Sequence, residues 1–201
     1  MRKVLLLTLL PMLLFAKSYN YWINAGERFG IEPRLLYAIA KIESNVDRFL
    51  ISVNFKKLSQ QEIKHLLNTL NKKKIEHIKY TKVISIKSKN LDEAKYVVDF
   101  LSKNNYPSFD MGIMQINSVH KDLIEKSGMS FYDLFDEKIN TQVGAFILSE
   151  CFKRHKNNKN AINAYNGKID GNPYSTKVLV ELQKLYLPHE KYKTRLYYRV
   201  M

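Results

Sequence analysis

Residues 33–44 read PRLLYAIAKIES, and this stretch decides which fold the rest of the chain can form. Apolar residues occupy nearly every side of the helix that it predicts, which indicates a helix buried in the middle of a domain. Pro33 stands at the first helical position, where the lack of an amide proton is best tolerated. Glu43, in the last turn, is the one carboxyl of this predicted helix.

Glu43 can be explained in two ways. It can be an exposed residue of the last turn, which is what the helix pattern alone favours. It can also be a carboxyl held among apolar groups, where burial raises the pKa because the charged form is disfavoured. A raised pKa suits a general acid that works near neutral pH. The sequence after the helix is needed to decide between the two.

Two later blocks and one tyrosine favour the second explanation. The blocks are DMGIMQIN at residues 110–117 and AYNG at residues 164–167, and Tyr174 follows in PYSTKV. In this order, with the Glu43–Ser44 pair before them, they resemble the signature of the lysozyme-like lytic transglycosylases. That family has a Glu-Ser pair at a helix end, then Gly-x-Met-Gln-Ile, then Ala-Tyr-Asn, then a tyrosine that begins the last helix.

The resemblance covers about residues 18–45 and 110–187, and it implies an enzyme that cleaves peptidoglycan. In this family one glutamate, here Glu43, protonates the oxygen of the β-1,4 bond between N-acetylmuramic acid and N-acetylglucosamine. The same residue then acts as base while the 6-hydroxyl of the muramic acid attacks its own anomeric carbon. The product is a 1,6-anhydro sugar. Most glycosidases use two carboxylates, but an intramolecular attack gains enough from proximity to need only one.

The resemblance also implies a set of substrate-binding residues around Glu43. They are Ser44, Met114, Gln115, Tyr165, Asn166 and Tyr174. Ser44 and Asn166 would contact sugar, and Met114 and Gln115 would line the groove. Tyr165 would orient Glu43 through its hydroxyl. For the two tyrosines and Met114, plain core packing is the competing explanation.

Three other functions stay open at this point. If Asp47 or Asp110 faced Glu43, the enzyme could be a lysozyme-type muramidase that hydrolyses the bond. Asp110 is instead expected to cap the turn into the Met-Gln segment. The fold could also serve as a wall-binding module of a secretion or envelope complex, although intact Glu43 and Gln115 argue against lost catalysis. A structural protein with a chance resemblance is the third alternative.

The domain organisation departs from the family because Glu43 and Met114 are 71 positions apart. Residues 46–109 predict a small α/β module in the order strand, helix, one or two strands, helix. The fold class is therefore α+β: a mainly helical lysozyme-like domain (residues 17–45 and 110–187) with this module inserted after the catalytic helix. The insert could cap the cleft, restrict which glycan strands enter, or dock a secretion or envelope complex.

The helices and strands are predicted from hydrophobic periodicity and capping residues. Strands are expected at Phe49–Asn54 and within Ile75–Ser88. The expected helices are 18–29, Pro33–Ser44, Ser59–Lys72, Leu91–Lys103, Ile116–Ser127, Lys138–His155, Asn160–Asn166 and Tyr174–Tyr186. Ser59 and Glu62 form the pattern of a capping box.

The two ends of the chain differ in character from the rest. Residues 1–16 combine a basic start, an apolar run too short for a comfortable membrane span, and Ala16 as a small residue, which is typical of a signal peptide. We therefore expect export to the periplasm, with an uncleaved membrane anchor as the alternative. Residues 188–201 form a basic, aromatic tail that we expect to be peripheral.

Charge and side-chain chemistry limit the partners. The net charge is +14, and the insert alone carries 13 Lys and Arg against 6 Asp and Glu, a net +7. In an exported protein this favours an anionic envelope polymer or a membrane face over nucleic acid. Cys151 is the only cysteine, so no intramolecular disulfide can form. The five histidines are scattered without metal-ligand spacing, so neither a metal nor another cofactor is expected.

Overall fold

The computed structural model describes residues 21–186, and every structural statement below refers to this part of the chain. The predicted signal peptide (1–16) and basic tail (188–201) lie outside the described residues. The helices are α1 (residues 21–29), α2 (Pro33–Ser44), α3 (Gln60–Lys73), α4 (Leu91–Lys103), α5 (Lys121–Lys126), α6 (Glu137–Arg154), α7 (Asn158–Tyr165) and α8 (Tyr174–Lys184). The strands are β1 (Leu50–Asn54), β2 (Glu76–Lys79), β3 (Val83–Lys87), β4 (Phe109–Met111) and β5 (Ile116–Asn117). The predicted class, α+β with mainly helical structure, is confirmed.

The chain divides into two compact units, whose boundaries fall inside α2 and α6. Unit 2 is Glu43–Asn140, and the described part of unit 1 is residues 21–42 and 141–186. Unit 2 contains the predicted insert together with Glu43 and the whole DMGIMQIN block. The residues of the predicted site are thus divided between the two units.

Unit 1 is helical, and the middle of α2 is buried in it. Leu36, Ala38, Ile39 and Ala40 are fully buried, which confirms the prediction of a buried helix from PRLLYAIAKIES. Trp22 of α1 packs edge-on against Tyr37 with ring centroids 5.7 Å apart. None of the helices within residues 21–186 combines the length and the apolar character that crossing a membrane requires.

Unit 2 is built on one antiparallel sheet with the strand order β2-β3-β1-β4-β5. The predicted order of the insert is confirmed, and Ile75–Ser88 forms two strands. β1 pairs with β3 on one side and with β4 on the other. Because β4 and β5 carry the DMGIMQIN block, the insert and this block share one sheet.

One face of this sheet is apolar and buried. Its cross-strand partners are Ile86, Ile51, Met111 and Ile116 in one row and Ile84, Val53 and Phe109 in the next. Directly opposite residues of paired strands lie on the same face, so each row is continuous. The apolar sides of α3 and α4 are buried as well, and we attribute the burial of this face to packing beneath these two helices.

Most predicted element bounds agree with the structure to within two residues, and the capping box of α3 is confirmed. There the Ser59 side chain accepts from the backbone N–H of Glu62, and the Glu62 carboxylate accepts from the backbone N–H of Ser59. The predicted helix Ile116–Ser127 is wrong in its first half. Ile116 instead pairs with Met111 in the sheet, and α5 begins only at Lys121. Pairing with a distant strand here overrides the local helical pattern.

We expect that a chain in which a short Gly/Ser linker replaces residues 46–109 will not fold. The deletion removes β1, the partner of β4, together with α3 and α4, and uncovers Met111 and Ile116, which are 0% and 1% exposed. Exposing two such side chains costs about 3–6 kcal/mol, a large part of the stability of a typical domain. The near-ultraviolet circular dichroism signal and the cooperative thermal transition should both disappear.

The matched control carries the same linker inserted after Thr81, in the turn between β2 and β3, and should unfold cooperatively. A deletion variant with an intact cooperative transition would show that the insert is dispensable for folding.

Candidate active site

The backbone directly after Glu43 is held in an unusual conformation. Glu43 is half-buried at the end of α2, and Asn45 and Val46 follow it with φ of 57° and 64°. A left-handed conformation is uncommon for asparagine and is a genuine outlier for a β-branched valine. Strain of this kind persists only where the surroundings enforce it, and it clusters at functional sites. This observation selects the end of α2 as a candidate site without any use of the sequence motifs.

Ser44 connects this helix end to the DMGIMQIN block. Its buried hydroxyl donates to the backbone oxygen of Ile113 at 2.7 Å and accepts from the backbone N–H of Asp47 at 3.1 Å. One side chain thus fixes both the exit of the chain from α2 and the turn between β4 and β5. The predicted contact between Ser44 and sugar stays a prediction.

Gln115 braces the turn between β4 and β5. Its side-chain amide donates to the backbone oxygens of Leu50, at 3.1 Å, and Gly112, at 2.9 Å. Its own φ is 47°, so its backbone is left-handed as well. Met114, beside it, is fully buried. Met114 can therefore shape a groove only through packing unless its side chain moves, and the substrate-binding roles of both residues stay predictions.

Asn140 is a residue of this site that the sequence analysis missed. It is fully buried, and its amide donates to the backbone oxygens of Met111, at 2.9 Å, and Leu134, at 2.7 Å. Its side-chain oxygen accepts from the backbone N–H of Met114 at 2.8 Å. The sequence does contain a signal for a buried Asn140. This residue precedes Val143 and Ile147 by three and seven positions, which places it on the apolar side of its helix.

The two carboxyls considered as partners of Glu43 have structural contacts in the sheet and the turn. Asp47 accepts from the backbone N–H of Phe49 at 3.0 Å. Asp110 lies in β4 and accepts from the side-chain amide of Asn117 at 2.7 Å, across the strand pair, rather than capping the turn. Burial raises the pKa of Asp110 to about 6, against the lowering effect of the Asn117 hydrogen bond.

In unit 1, the predicted residues Tyr165, Asn166 and Tyr174 flank a single loop. Tyr165 ends α7, Asn166 is exposed directly after it, and the buried Tyr174 begins α8. The Asn166 side-chain oxygen accepts from the amide of Asn172 at 3.3 Å, and the Asn172 oxygen accepts from the backbone N–H of Tyr174 at 3.1 Å. The roles of these three residues toward a substrate stay predictions.

Asn163, which the sequence analysis also missed, fixes this loop through hydrogen bonds of its side chain. It is buried, its oxygen accepts from the backbone N–H of Ser175 at 2.7 Å, and its amide donates to the Ile169 oxygen at 3.3 Å. The start of α8 is thereby tied to α7. Its neighbours Ala161 and Ile162 are fully buried, so Asn163 lies in a buried stretch of α7.

A groove of about 1200 Å³ in unit 1 contains none of the predicted site residues. It is lined by the end of α1, the start of α2 and parts of α6 and α7, including Phe29, Pro33 and Phe152. Within residues 21–186, no three His, Cys, Asp or Glu side chains are arranged so that they could hold a metal ion.

Gly112→Ala should lower the free energy of unfolding by about 2–3 kcal/mol, as measured by urea denaturation. A Cβ at Gly112 would overlap with the Asn140 amide and the Leu134 backbone oxygen, and φ is +75°. Gly128→Ala is the matched control, because its φ is +72° and no atom lies within 4 Å of the added Cβ. The free energy of unfolding of Gly128→Ala should fall only by the cost of the left-handed backbone, about 1 kcal/mol. Equal losses in the two variants would mean that the contact with Asn140 is unimportant.

The raised pKa of Asp110 predicts a pH dependence of stability. In the folded protein the carboxyl has a pKa of about 6 instead of its ordinary 3.8. The protonated carboxyl therefore makes its full contribution to the free energy of unfolding below pH 3.8, and this contribution is lost as the pH rises through about 6. Asp110→Asn should remove this loss, which amounts to about 2–3 kcal/mol. Urea denaturation between pH 3.5 and pH 8, in steps of about half a unit, measures it.

The control for Asp110 works in the opposite direction. Asn117→Ala removes the hydrogen bond that lowers the pKa of Asp110, so the midpoint of the stability loss should move to higher pH. Identical pH profiles for the parent protein and Asp110→Asn would contradict a raised pKa at this position.

Comparison with known proteins identifies the family of this chain. The family described as Transglycosylase SLT domain matches residues 20–171. A peptidoglycan-binding-like protein of Escherichia coli O157:H7 is 30% identical over 134 residues, which cover 65% of this chain and 53% of that protein. Invasion protein IagB of Salmonella typhimurium (strain SL1344) is 40% identical over 67 residues, 33% of this chain and 42% of IagB. The matches thus span about half the length of these relatives. Because the family match covers most of the chain, this protein belongs to the transglycosylase SLT domain family of lysozyme-like lytic transglycosylases.

Proposed function

We propose that this protein is a peptidoglycan lytic transglycosylase in which Glu43 is the single general acid and base. The observation that carries the proposal is the hydrogen bond from Ser44 to the Ile113 backbone. It joins the two sequence blocks that the family's chemistry requires, directly beside Glu43. Membership of the family supports the substrate class, because its members act on peptidoglycan.

The proposed reaction needs one proton and one carboxyl. Protonated Glu43 donates to the glycosidic oxygen as the bond from that oxygen to the anomeric carbon of N-acetylmuramic acid breaks. The 6-hydroxyl of the same sugar then attacks the anomeric carbon and forms the 1,6-anhydro bridge. Its proton returns to Glu43, so the enzyme is regenerated and no water is consumed. The attacking hydroxyl belongs to the substrate, which gives the reaction the advantage of proximity.

The residues around Glu43 supply position rather than further chemistry. Ser44 and the left-handed Asn45 and Val46 stop α2 immediately after Glu43, so its side chain lies at a helix end rather than within a continuous helix. Gln115 and Asn140 fix the turn that Ser44 contacts. A catalytic group held by packed and hydrogen-bonded neighbours keeps the geometry that proton transfer demands.

The remaining substrate contacts belong to the same proposal. Tyr165 would orient Glu43, and Asn166 and Tyr174 would contact the sugar or close the pocket wall. The support is their place in the family's blocks and the hydrogen-bonded loop that lies between α7 and α8. Ser44, Met114 and Gln115 would complete the binding site.

We also propose a location and a partner class. The sequence of residues 1–16 supports export to the periplasm, where peptidoglycan is accessible. The relative from Salmonella is named an invasion protein, and this supports a role beside a secretion or envelope complex, with the positively charged insert as the docking part.

Glu43→Gln should retain the fold and lose about 10²–10⁴-fold in activity, because general acid–base catalysis contributes on this scale. The measurement is mass spectrometry of the soluble products released from purified peptidoglycan. The parent protein should release muropeptides with a 1,6-anhydro end. Glu27→Gln is the matched control, since Glu27 is an exposed residue of α1 and should leave the products unchanged.

Two other results would replace the proposal. Products with a reducing end, again dependent on Glu43, would identify a muramidase that hydrolyses the bond, with Asp47 or Asp110 as its second carboxylate. If neither protein released products while both bound the wall, a binding module would be the better description.

A further inference from the structure

The face of the sheet opposite the buried one carries a continuous row of residues, one from each of the five strands. In spatial order these are Ile78, Ser85, Ser52, Asp110 and Asn117, and each lies directly opposite the next. We call this set the outer row. It spans about 19 Å, since paired strands lie about 4.8 Å apart.

The outer row is polar in the middle, and its polar residues are only partly exposed to solvent. Ser52, Ser85, Asp110 and Asn117 are half-buried, and Ile78 is 42% exposed. Within residues 21–186, the hydroxyls of Ser52 and Ser85 make no side-chain hydrogen bond. Two adjacent serines on a sheet are unusual, because strands favour β-branched and aromatic residues. Their hydroxyls can each donate and accept, and no side-chain hydrogen bond within the described part of the chain uses them.

The end of the outer row at Ile78, in β2, is apolar. Tyr80 comes directly after the end of β2, two positions beyond Ile78, and is 57% exposed. The backbone N–H of Tyr80 donates to the Val83 oxygen at 2.8 Å, which holds this end of the hairpin in place. A tyrosine offers an apolar ring together with a polar hydroxyl, which suits a ligand that has both kinds of surface.

The end of the outer row formed by Asp110 and Asn117 lies beside the turn of the candidate active site. Asp110 and Asn117 belong to the two strands that flank the Gly112–Gln115 turn, and Ser44 binds this turn through Ile113. Ser52 lies two residues beyond Leu50, whose backbone oxygen accepts from Gln115. A polymer bound at Glu43 and directed along the sheet would therefore continue over Ser52 and Ser85.

We propose that the outer row is a saccharide-binding surface that extends the glycan site across the insert. This inference rests on the proposed function for the identity of the polymer. Sugar hydroxyl and acetamido groups bond to Ser52, Ser85 and Asn117, and the apolar faces of a sugar ring pack on Ile78 and Tyr80. The net charge of +7 on the insert favours the same polymer, because the muramic acid and its peptides carry carboxylates.

The test compares a short and a long glycan in binding rather than in turnover. In the Glu43→Gln background, the affinities for a peptidoglycan tetrasaccharide and an octasaccharide are measured by isothermal titration calorimetry. Adding Ser52→Ala and Ser85→Ala should weaken octasaccharide binding about tenfold, from two lost hydrogen bonds, and leave the tetrasaccharide within about twofold. Ser102→Ala, which removes an exposed hydroxyl of α4, is the matched control and should change neither affinity.

Unchanged octasaccharide affinity in the double serine variant would overturn the proposal, and so would an equal loss for both glycans. Because the readout is binding, it is independent of whether anhydro products form, so failure of the proposed reaction would be recognised separately.

A second measurement covers the case in which the double variant does not fold. In the Glu43→Gln protein, the octasaccharide should shift the backbone amide resonances of Ile78, Ser52 and Ser85, and the tetrasaccharide should not. Octasaccharide binding without shifts at these three residues would also overturn the proposal.

Discussion

The hydrogen bond from the Ser44 hydroxyl to the Ile113 backbone is the interaction on which the site depends. It joins the end of the buried helix α2 to the turn between β4 and β5, although the two residues are 69 positions apart. The insert lies between them in sequence, yet it does not separate them in space, because β1 of the insert pairs with β4. The insertion is thus tolerated because it extends the sheet that carries the turn.

One buried asparagine and backbone strain fix the surroundings of this bond. The Asn140 side chain makes three hydrogen bonds, to backbone groups of Met111, Met114 and Leu134. Removal of this side chain would leave these buried backbone groups unsatisfied. The backbone strain lies in the left-handed Asn45 and Val46, which follow the end of α2 at Ser44. The turn fixed by Asn140 and the left-handed end of α2 thus meet at Ser44, the neighbour of Glu43.

The sequence allowed the class, the helices and the relation between Glu43 and the DMGIMQIN block to be predicted, because periodicity and motif order are local signals. The helix expected at Ile116–Ser127 was wrong because the pairing of Ile116 with Met111 depends on a chain reversal at Gly112. Asn140 and Asn163 were missed because their partners are defined only by tertiary packing. The strain at Val46 was also unpredictable, since valine is the wrong residue for that conformation.

The central claim is that a glycan binds with its scissile oxygen at Glu43, and a crystal structure of the Glu43→Gln protein with a bound peptidoglycan tetrasaccharide tests it most directly. The account predicts that the side chain at position 43 lies within hydrogen-bonding distance of a glycosidic oxygen, with a muramic acid on the side of the anomeric carbon. A tetrasaccharide seated only in the groove lined by Phe29, Pro33 and Phe152, with position 43 free of sugar, would contradict it.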